Sequence, residues 1–451
     1  MKRLNLQKNS LLSQTLILTA ANFAVRMLGF VMRIWLSRTL GAEAIGVMEL
    51  ASSAHMLWIA PVASGLPMAV SRFTAQAYAA RDPLRARQTL EAGKKLAKII
   101  SWSLFAVCLL LSPIIAHILG DSRTLPTLLL YLPCLPILAL SAVYNGYCYG
   151  AENTTPPAVS EIIEQALRFG ICFTALSLLP AMKTAYSAAI PVAGMLVGEA
   201  VGLWLVIRMI NKKEKRGKSE KVQIPSGMMS KLWRLAFPMT CMRMSNTLVR
   251  SVNAALIPMR LRASGVAASQ ATAMLGMYNG MALSLIMLPA VFTGALSMVS
   301  APAITKRENN PQAMRRLLKR VLVPAFFISL ISAIGIYFLA PFISKTLYRQ
   351  AELEQMLRML TPCVVMMGLQ QVIGGLIAGL GEQRRALYAS LSGSLLTVGL
   401  NFWLAGIPTL RLTGVAIATE VGMAVTLVMS ARVLVLAVTR VGNRRCLGLA
   451  E

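Results

Sequence analysis

Long apolar runs alternate with short polar segments along the whole chain. A hydrocarbon core about 30 Å thick takes roughly 20 apolar residues per helix. Runs of that kind lie near 14–36, 45–69, 97–119, 125–149, 159–180, 187–209, 235–259, 270–300, 320–340, 356–380, 386–407 and 413–437. The pattern predicts an all-α polytopic membrane protein of about twelve spans. The fifth run opens on Glu161 and Glu164, and the tenth is rich in glycine. The N-terminal "MKRLNLQKNSLLSQTLILTAANFAV" resembles a signal peptide but lacks an A-x-A-like site after a short apolar core. It reads as an uncleaved first span.

The second half of the pattern echoes the first. "VRMLGFVMR" in the first run matches "MRMSNTLVR" in the seventh, and each carries two arginines seven residues apart: Arg26 and Arg33, Arg243 and Arg250. "GLPMAVS" (Gly65 to Ser71) matches "GALSMVS" (Gly294 to Ser300). Pro133-Cys134 precedes Gly146 and Gly150 at the offsets by which Pro362-Cys363 precedes Gly375 and Gly379. Runs six and twelve each hold one acid, Glu199 and Glu420. Six spans per half put both halves in the same orientation, so the repeats are parallel. The division expected is a lobe at 1–210, a basic linker at 211–234, a second lobe at 235–440 and a tail at 441–451.

Composition agrees with the pattern. Of 451 residues, 56% are apolar and 14% charged, whereas soluble domains run to about 45–50% and 25%. The net charge of +28 sits in short connecting segments, which leaves no room for a nucleic-acid domain. Counting by segment gives roughly 29 basic residues on one side of the membrane and about 8 on the other. The positive-inside rule then places both termini and the linker in the cytoplasm of a multi-pass plasma-membrane protein. The seven cysteines and two histidines lack metal-ligand or disulfide spacing. No nucleophile, nucleotide or cofactor motif is visible, so the reading is of a non-enzyme without cofactor or metal.

Charge inside the spans is the candidate chemistry. Seven residues is nearly two helical turns, so Arg26 and Arg33 share a face, as do Arg243 and Arg250. A guanidinium facing lipid at the bilayer centre costs at least ~2.5–3.5 kcal/mol, so such groups usually face a wet cavity or a partner. Repeat symmetry would set the two pairs on opposing walls of an electropositive cavity suited to phosphate. The plainer reading is that Arg33 snorkels to headgroups, or that the arginines are neutralised by Glu199, Glu420 or Glu164. Glu199 and Glu420 are candidates for proton or sodium coupling, or for buried ion-pair partners. Glu164 and Arg168, spaced i, i+4, read as a structural ion pair. Pro61, Pro67, Pro133, Pro136, Pro289 and Pro362 predict kinks.

"VRMLGFVMRIWLSRTLGAEAIGVMEL", "SGLPMAVSRFTAQ", "PPAVSEIIEQALRFG" and "MYNGMALSLIMLPAVFTGALSMVSAPAI" resemble the stage V sporulation protein B branch of the multidrug/oligosaccharidyl-lipid/polysaccharide exporter superfamily. The resemblance covers nearly the whole chain. It implies two six-helix lobes forming a V, as in the multidrug exporters, that opens alternately to either side. It also implies a lipid-linked oligosaccharide or cell-wall precursor on a polyprenyl pyrophosphate as the substrate. Arginines that face the pyrophosphate in the lipid II flippase map onto Arg26 and, with spacing different by one residue, onto Arg33. Another falls near Ser284, which is not basic, so Arg243 and Arg250 stand on the repeat alone. The alternatives are a cation-coupled multidrug exporter, which would favour acids in its cavity, and a non-transporting scaffold of a wall-synthesis complex.

Overall fold

The computed structural model describes the backbone of residues 2–178, 183–214, 223–305, 307 and 311–446. Parts of the expected linker (215–222) and tail (447–451) lie outside the described residues. All regular structure among the described residues is helical. The chain divides into two compact units, one of residues 1–40 and 47–251, the other of 41–46 and 252–451.

The first unit holds α1 (Lys2–Ala63) apart from 41–46, α2 (Gly65–Ala79), α3 (Pro83–Ile118), α4 (Leu125–Tyr131), α5 (Cys134–Gly150), α6 (Thr155–Leu178), α7 (Thr184–Ser187), α8 (Ile190–Glu214) and most of α9 (Met228–Ala263). α1 consists of two helices joined at a kink, where Gly41 has φ 77° and ψ 172°. Arg33 and Glu49, one on each side of it, meet at 3.0 Å. A straight helix would hold residues so spaced about 24 Å apart. The chain therefore turns back on itself near Gly41, where a positive φ comes without Cβ strain, and α1 carries the first two predicted spans. Asp82 caps α3, its carboxylate accepting from the Arg85 N–H at 2.9 Å with Pro83 opening the helix.

The second unit follows with α10 (Ala268–Leu275), a π-helical stretch at Gly276–Leu283, α11 (Ser284–Ile286), α12 (Ala290–Thr305) and α13 (Pro311–Phe342). After a π-helical turn at Ile343–Tyr348 come α14 (Leu353–Met359), α15 (Thr361–Gly379), α16 (Gln383–Leu404) and α17 (Arg411–Cys446). Its core gathers Ile304, Met314, Val372, Leu376 and Leu434 from α12, α13, α15 and α17.

Among the described residues seven helices are long and apolar enough to cross a membrane, or nine if two bent pairs each count as one span. The bends are 42° beside Pro133 and 52° beside Pro289, two of the prolines predicted to kink. The difference from twelve has identifiable sources. The hairpin within α1 scores once, and α6 and α9, interrupted by charge, are not among the seven.

The predicted repeat recurs as a packing scheme inside each unit. In the first, α2 packs on α5, α3 on α5, α6 on α8 and α5 on α8; in the second, α12 on α15, α13 on α15, α16 on α17 and α15 on α17. The matched glycines explain two of these seams. A Cβ at Gly146 or Gly150 would overlap the Pro67 or Ser71 carbonyl, and one at Gly375 or Gly379 the Ser297 or Ala301 backbone. The packing thus equates Ser71 with Ala301, one residue beyond the motif match to Ser300.

The unit boundary falls inside α9 and not in the basic linker. Gly65 lies against the Ala236 carbonyl and Thr240, and Ser251 Oγ donates to the Ser53 carbonyl at 2.6 Å. These contacts hold the first two-thirds of α9 in the first unit. Gly46 in turn fits against Thr272, and Gly276 against Ala42 and Gly46, within the second.

Candidate functional site

All four candidate arginines fall in the first unit, because α9 belongs to it as far as Ser251. The expectation of one arginine pair per unit is not met. Arg26 on α1 and Arg243 and Arg250 on α9 are exposed on the unit's surface. None of these three makes an ion pair among the described residues. Arg33 differs: its guanidinium binds the Glu49 carboxylate at 3.0 Å, with side chains 31% and 16% exposed. It is an internal cross-brace of the α1 hairpin, not an open anion ligand.

A polar cluster is buried behind that brace. His55, 1% exposed, stacks on Tyr131 with ring centroids 4.1 Å apart and planes at 14°. Tyr131 hydrogen-bonds with Ser52 and lies in electrostatic range of Arg168 and Glu49. Arg168 from α6 also reaches the neighbourhood of His55 and of Glu199 on α8. Glu164, one turn before Arg168, lies close enough to Glu199 for the two carboxylates to interact.

The expected Glu164–Arg168 ion pair is not formed. Glu164 Oε1 instead accepts from Ser160 Oγ at 2.6 Å, and Arg168 Nε is buried without a hydrogen-bond partner. The cause is the face on which they lie. Gly198 and Gly202 bring α8 directly over Glu164, so both side chains meet a neighbouring helix and not each other along a free helix surface. An i, i+4 spacing permits a pair; packing decides whether it closes.

Glu420 on α17 is half-buried. Its neighbour Thr419 hydrogen-bonds with Tyr278 of the π-helical stretch. Glu420 lies in electrostatic range of Cys363, as Glu199 does of Cys134. The two acids therefore occupy like places beside the two cysteines that the repeat pairs. The second unit has no counterpart of Arg168 at its α16–α17 seam, which closes with Gly393 on Thr426 and Gly422 on Thr397.

Glu49, Tyr131 and Ser160 were not singled out by sequence. Glu49, Ser52 and His55 recur every third residue of the second apolar run, a polar stripe that would have flagged the first. Tyr131 and Ser160 carry no such signal. Among the described residues no group of three or more His, Cys, Asp or Glu side chains could hold a metal ion. The arrangement offers two kinds of chemistry. Exposed guanidinium groups can bind an anion, and two half-buried carboxylates, Glu164 and Glu199, interact with each other while Glu199 also lies in electrostatic range of Arg168.

This geometry belongs to a membrane transporter fold. The structure of an inward-facing multidrug resistance MATE family transporter of the MOP superfamily matches with a TM-score of 0.74 at 17% identity, covering 94% of this chain and 95% of that one. The chain belongs to the polysaccharide biosynthesis protein family, whose model matches residues 11–308, and a MatE model matches residues 244–403. It is 29% identical to Stage V sporulation protein B of Bacillus subtilis (strain 168) over 434 residues, 94% of this chain and 84% of that protein. It is also 21% identical to Lipid II flippase MurJ of the same organism over 444 residues, 92% of this chain and 80% of that protein. The chain is thus a multi-pass membrane protein of the polysaccharide and lipid II flippase branch of the superfamily.

Proposed function

We propose that this protein flips lipid-linked oligosaccharide or cell-wall precursors from the cytoplasmic to the outer leaflet by alternating access. The observation that carries the proposal is the set of exposed arginines that make no ion pair among the described residues, Arg26, Arg243 and Arg250, within otherwise apolar spans. A polyprenyl pyrophosphate presents oxygens that a planar guanidinium can grip bidentately. The relatives support this substrate class: one is named a lipid II flippase and another a sporulation protein, so a role in spore wall synthesis falls within the proposal. Multidrug export is not favoured, because the exposed intramembrane charges Arg26, Arg243 and Arg250 are basic, and the acid that meets a candidate arginine, Glu49, is engaged by Arg33. A scaffold would have no use for unpaired intramembrane charge.

Glu199 and Glu420 are the proposed coupling carboxylates for a proton or sodium ion, one per unit. Both termini are proposed to be cytoplasmic. Native mass spectrometry of the purified protein tests the substrate class, with co-purified polyprenyl-phosphate lipids as the expected result. Charge-assisted hydrogen bonds are worth ~1.5–3 kcal/mol, so Arg26→Ala should weaken binding of such a lipid by roughly ten- to a hundredfold. Arg26→Lys should rescue only part, since it keeps the charge and loses the fork. Lys95→Ala should leave affinity unchanged. Unchanged affinity with a lowered melting temperature for Arg26→Ala would refute the binding role.

A further inference from the structure

The first unit contains a cavity of about 270 Å³ between the start of α3 and the start of α9. It lies apart from the arginines considered above. Arg85 and Lys231 line it from opposite elements, with Gln88 and Ser226 adding neutral polar groups. Neither cation makes an ion pair among the described residues. The one acid in the lining, Asp82, is already engaged, since its carboxylate accepts from the Arg85 backbone N–H at 2.9 Å. The cavity therefore carries more positive charge than its own acid offsets. Phe73 and Leu232 form an apolar part of its lining.

Its position gives the ligand class. Arg85 precedes the apolar part of α3, and Lys231 the apolar part of α9. Lys231 stands four residues before the apolar run at 235–259 and Phe73 four residues past the run at 45–69, while Arg85 reaches the same cavity from the polar first turns of α3, so the cavity lies where the chain passes from polar segment to hydrocarbon. That is the depth of lipid phosphates, and basic pockets there bind anionic headgroups. Two converging cations, an amide and a hydroxyl suit a phosphate ester with a hydroxylated stub, and the apolar lining suits the carbon chain attached to it. We propose that this cavity is a binding site for a phosphate ester, with Arg85 and Lys231 gripping the phosphate and Gln88 and Ser226 contacting its polar substituent.

The full-length protein in detergent is titrated with phosphatidylglycerol against a phosphatidylcholine background, and bound lipid is counted by native mass spectrometry. Glycerol 3-phosphate is added in a second arm. Arg85→Ala combined with Lys231→Ala should weaken retention of one phosphatidylglycerol by roughly tenfold or more, while Lys95→Ala combined with Lys98→Ala, which removes equal charge outside the cavity, should not. If glycerol 3-phosphate binds the wild type and loses affinity in the double variant, the same site takes a soluble phosphate ester. Ser226→Asp gives a second test that removes no cation: a negative charge placed in the lining should abolish binding with the melting temperature unchanged. Binding of both probes unchanged in a folded double variant and in Ser226→Asp overturns the proposal.

Discussion

Arg33 and Glu49 show at the scale of single residues what a sequence can and cannot disclose. Both charges stand in apolar runs and are visible there. Their pairing is not, because it depends on the chain turning back at Gly41, a conformation that the surrounding helical pattern hides. Once paired, Arg33 is separated in role from Arg26, although the two share a face and a motif. The geometry predicts opposite phenotypes for them. Arg33→Ala and Glu49→Ala should each destabilise the protein by about 1–3 kcal/mol, between the values for exposed and buried pairs. The double variant should lose clearly less than the sum, with substrate affinity little changed. Denaturant unfolding of the four-member cycle measures this, and additive losses would mean that the 3.0 Å contact is not maintained in the membrane. Glu164 carries the complementary lesson. Its spacing to Arg168 was legible and its partner was not, because the choice between Arg168 and Ser160 is made by α8 packing above it.

At the scale of helices, the repeat was legible because close packing needs small residues at fixed offsets. Gly146 and Gly150 seat α5 on α2, and Gly375 and Gly379 seat α15 on α12. Register was legible only to within one residue, since the motif match sets Ser71 on Ser300 whereas the glycine seams set it on Ala301. Gly146→Val and Gly375→Val should each force a helix pair apart and lower the melting temperature and the yield of folded protein. These are small-to-large changes at seams with backbone on the far side, so the expected cost is at least ~1–3 kcal/mol. Gly170 is the control. Nothing lies within 4 Å of a Cβ added there, and replacing a mid-helix glycine with alanine gains roughly 0.5–1 kcal/mol. Gly170→Ala should therefore match or exceed the wild type in thermal stability. Equal tolerance of valine at Gly146 and alanine at Gly170 would show that the α2–α5 seam is looser than its carbonyl contacts imply. Charge had the opposite effect on legibility. It drew attention to α6 and α9, yet it lowers their hydropathy enough that they fail a composition test for spans which their repeat partners α16 and the α1 hairpin pass.

At the scale of the molecule, the parity of the spans decides the topology. If α6, α9 and both arms of α1 cross the bilayer with the other candidates, the count is even and both termini lie on the side of the basic segments. If α9 alone failed to cross, every segment after it would invert, and the basic residues at 311–320 would move to the outer face against the positive-inside rule. The packing of α9 argues for crossing, because its contacts run from Gly65 against Ala236 to Ser53 against Ser251. That length of helix, about 23 Å at 1.5 Å per residue, follows a neighbour through most of a hydrocarbon core. Single cysteines placed in a variant lacking native cysteines provide the test. A cysteine at Lys183, in the short connection before α8, should react with a membrane-impermeant maleimide added to intact cells. Cysteines at Lys215 and at Arg316 should react only after the membrane is opened. The pair brackets α9, so labelling of Arg316→Cys from outside with Lys215→Cys still protected would mean an odd number of crossings between them. That result would leave Arg243 and Arg250 outside the membrane interior and remove them from the proposed pyrophosphate site. Protection at both positions keeps α9 across the bilayer and its two exposed guanidinium groups at a depth where only a polar ligand or water can offset their cost.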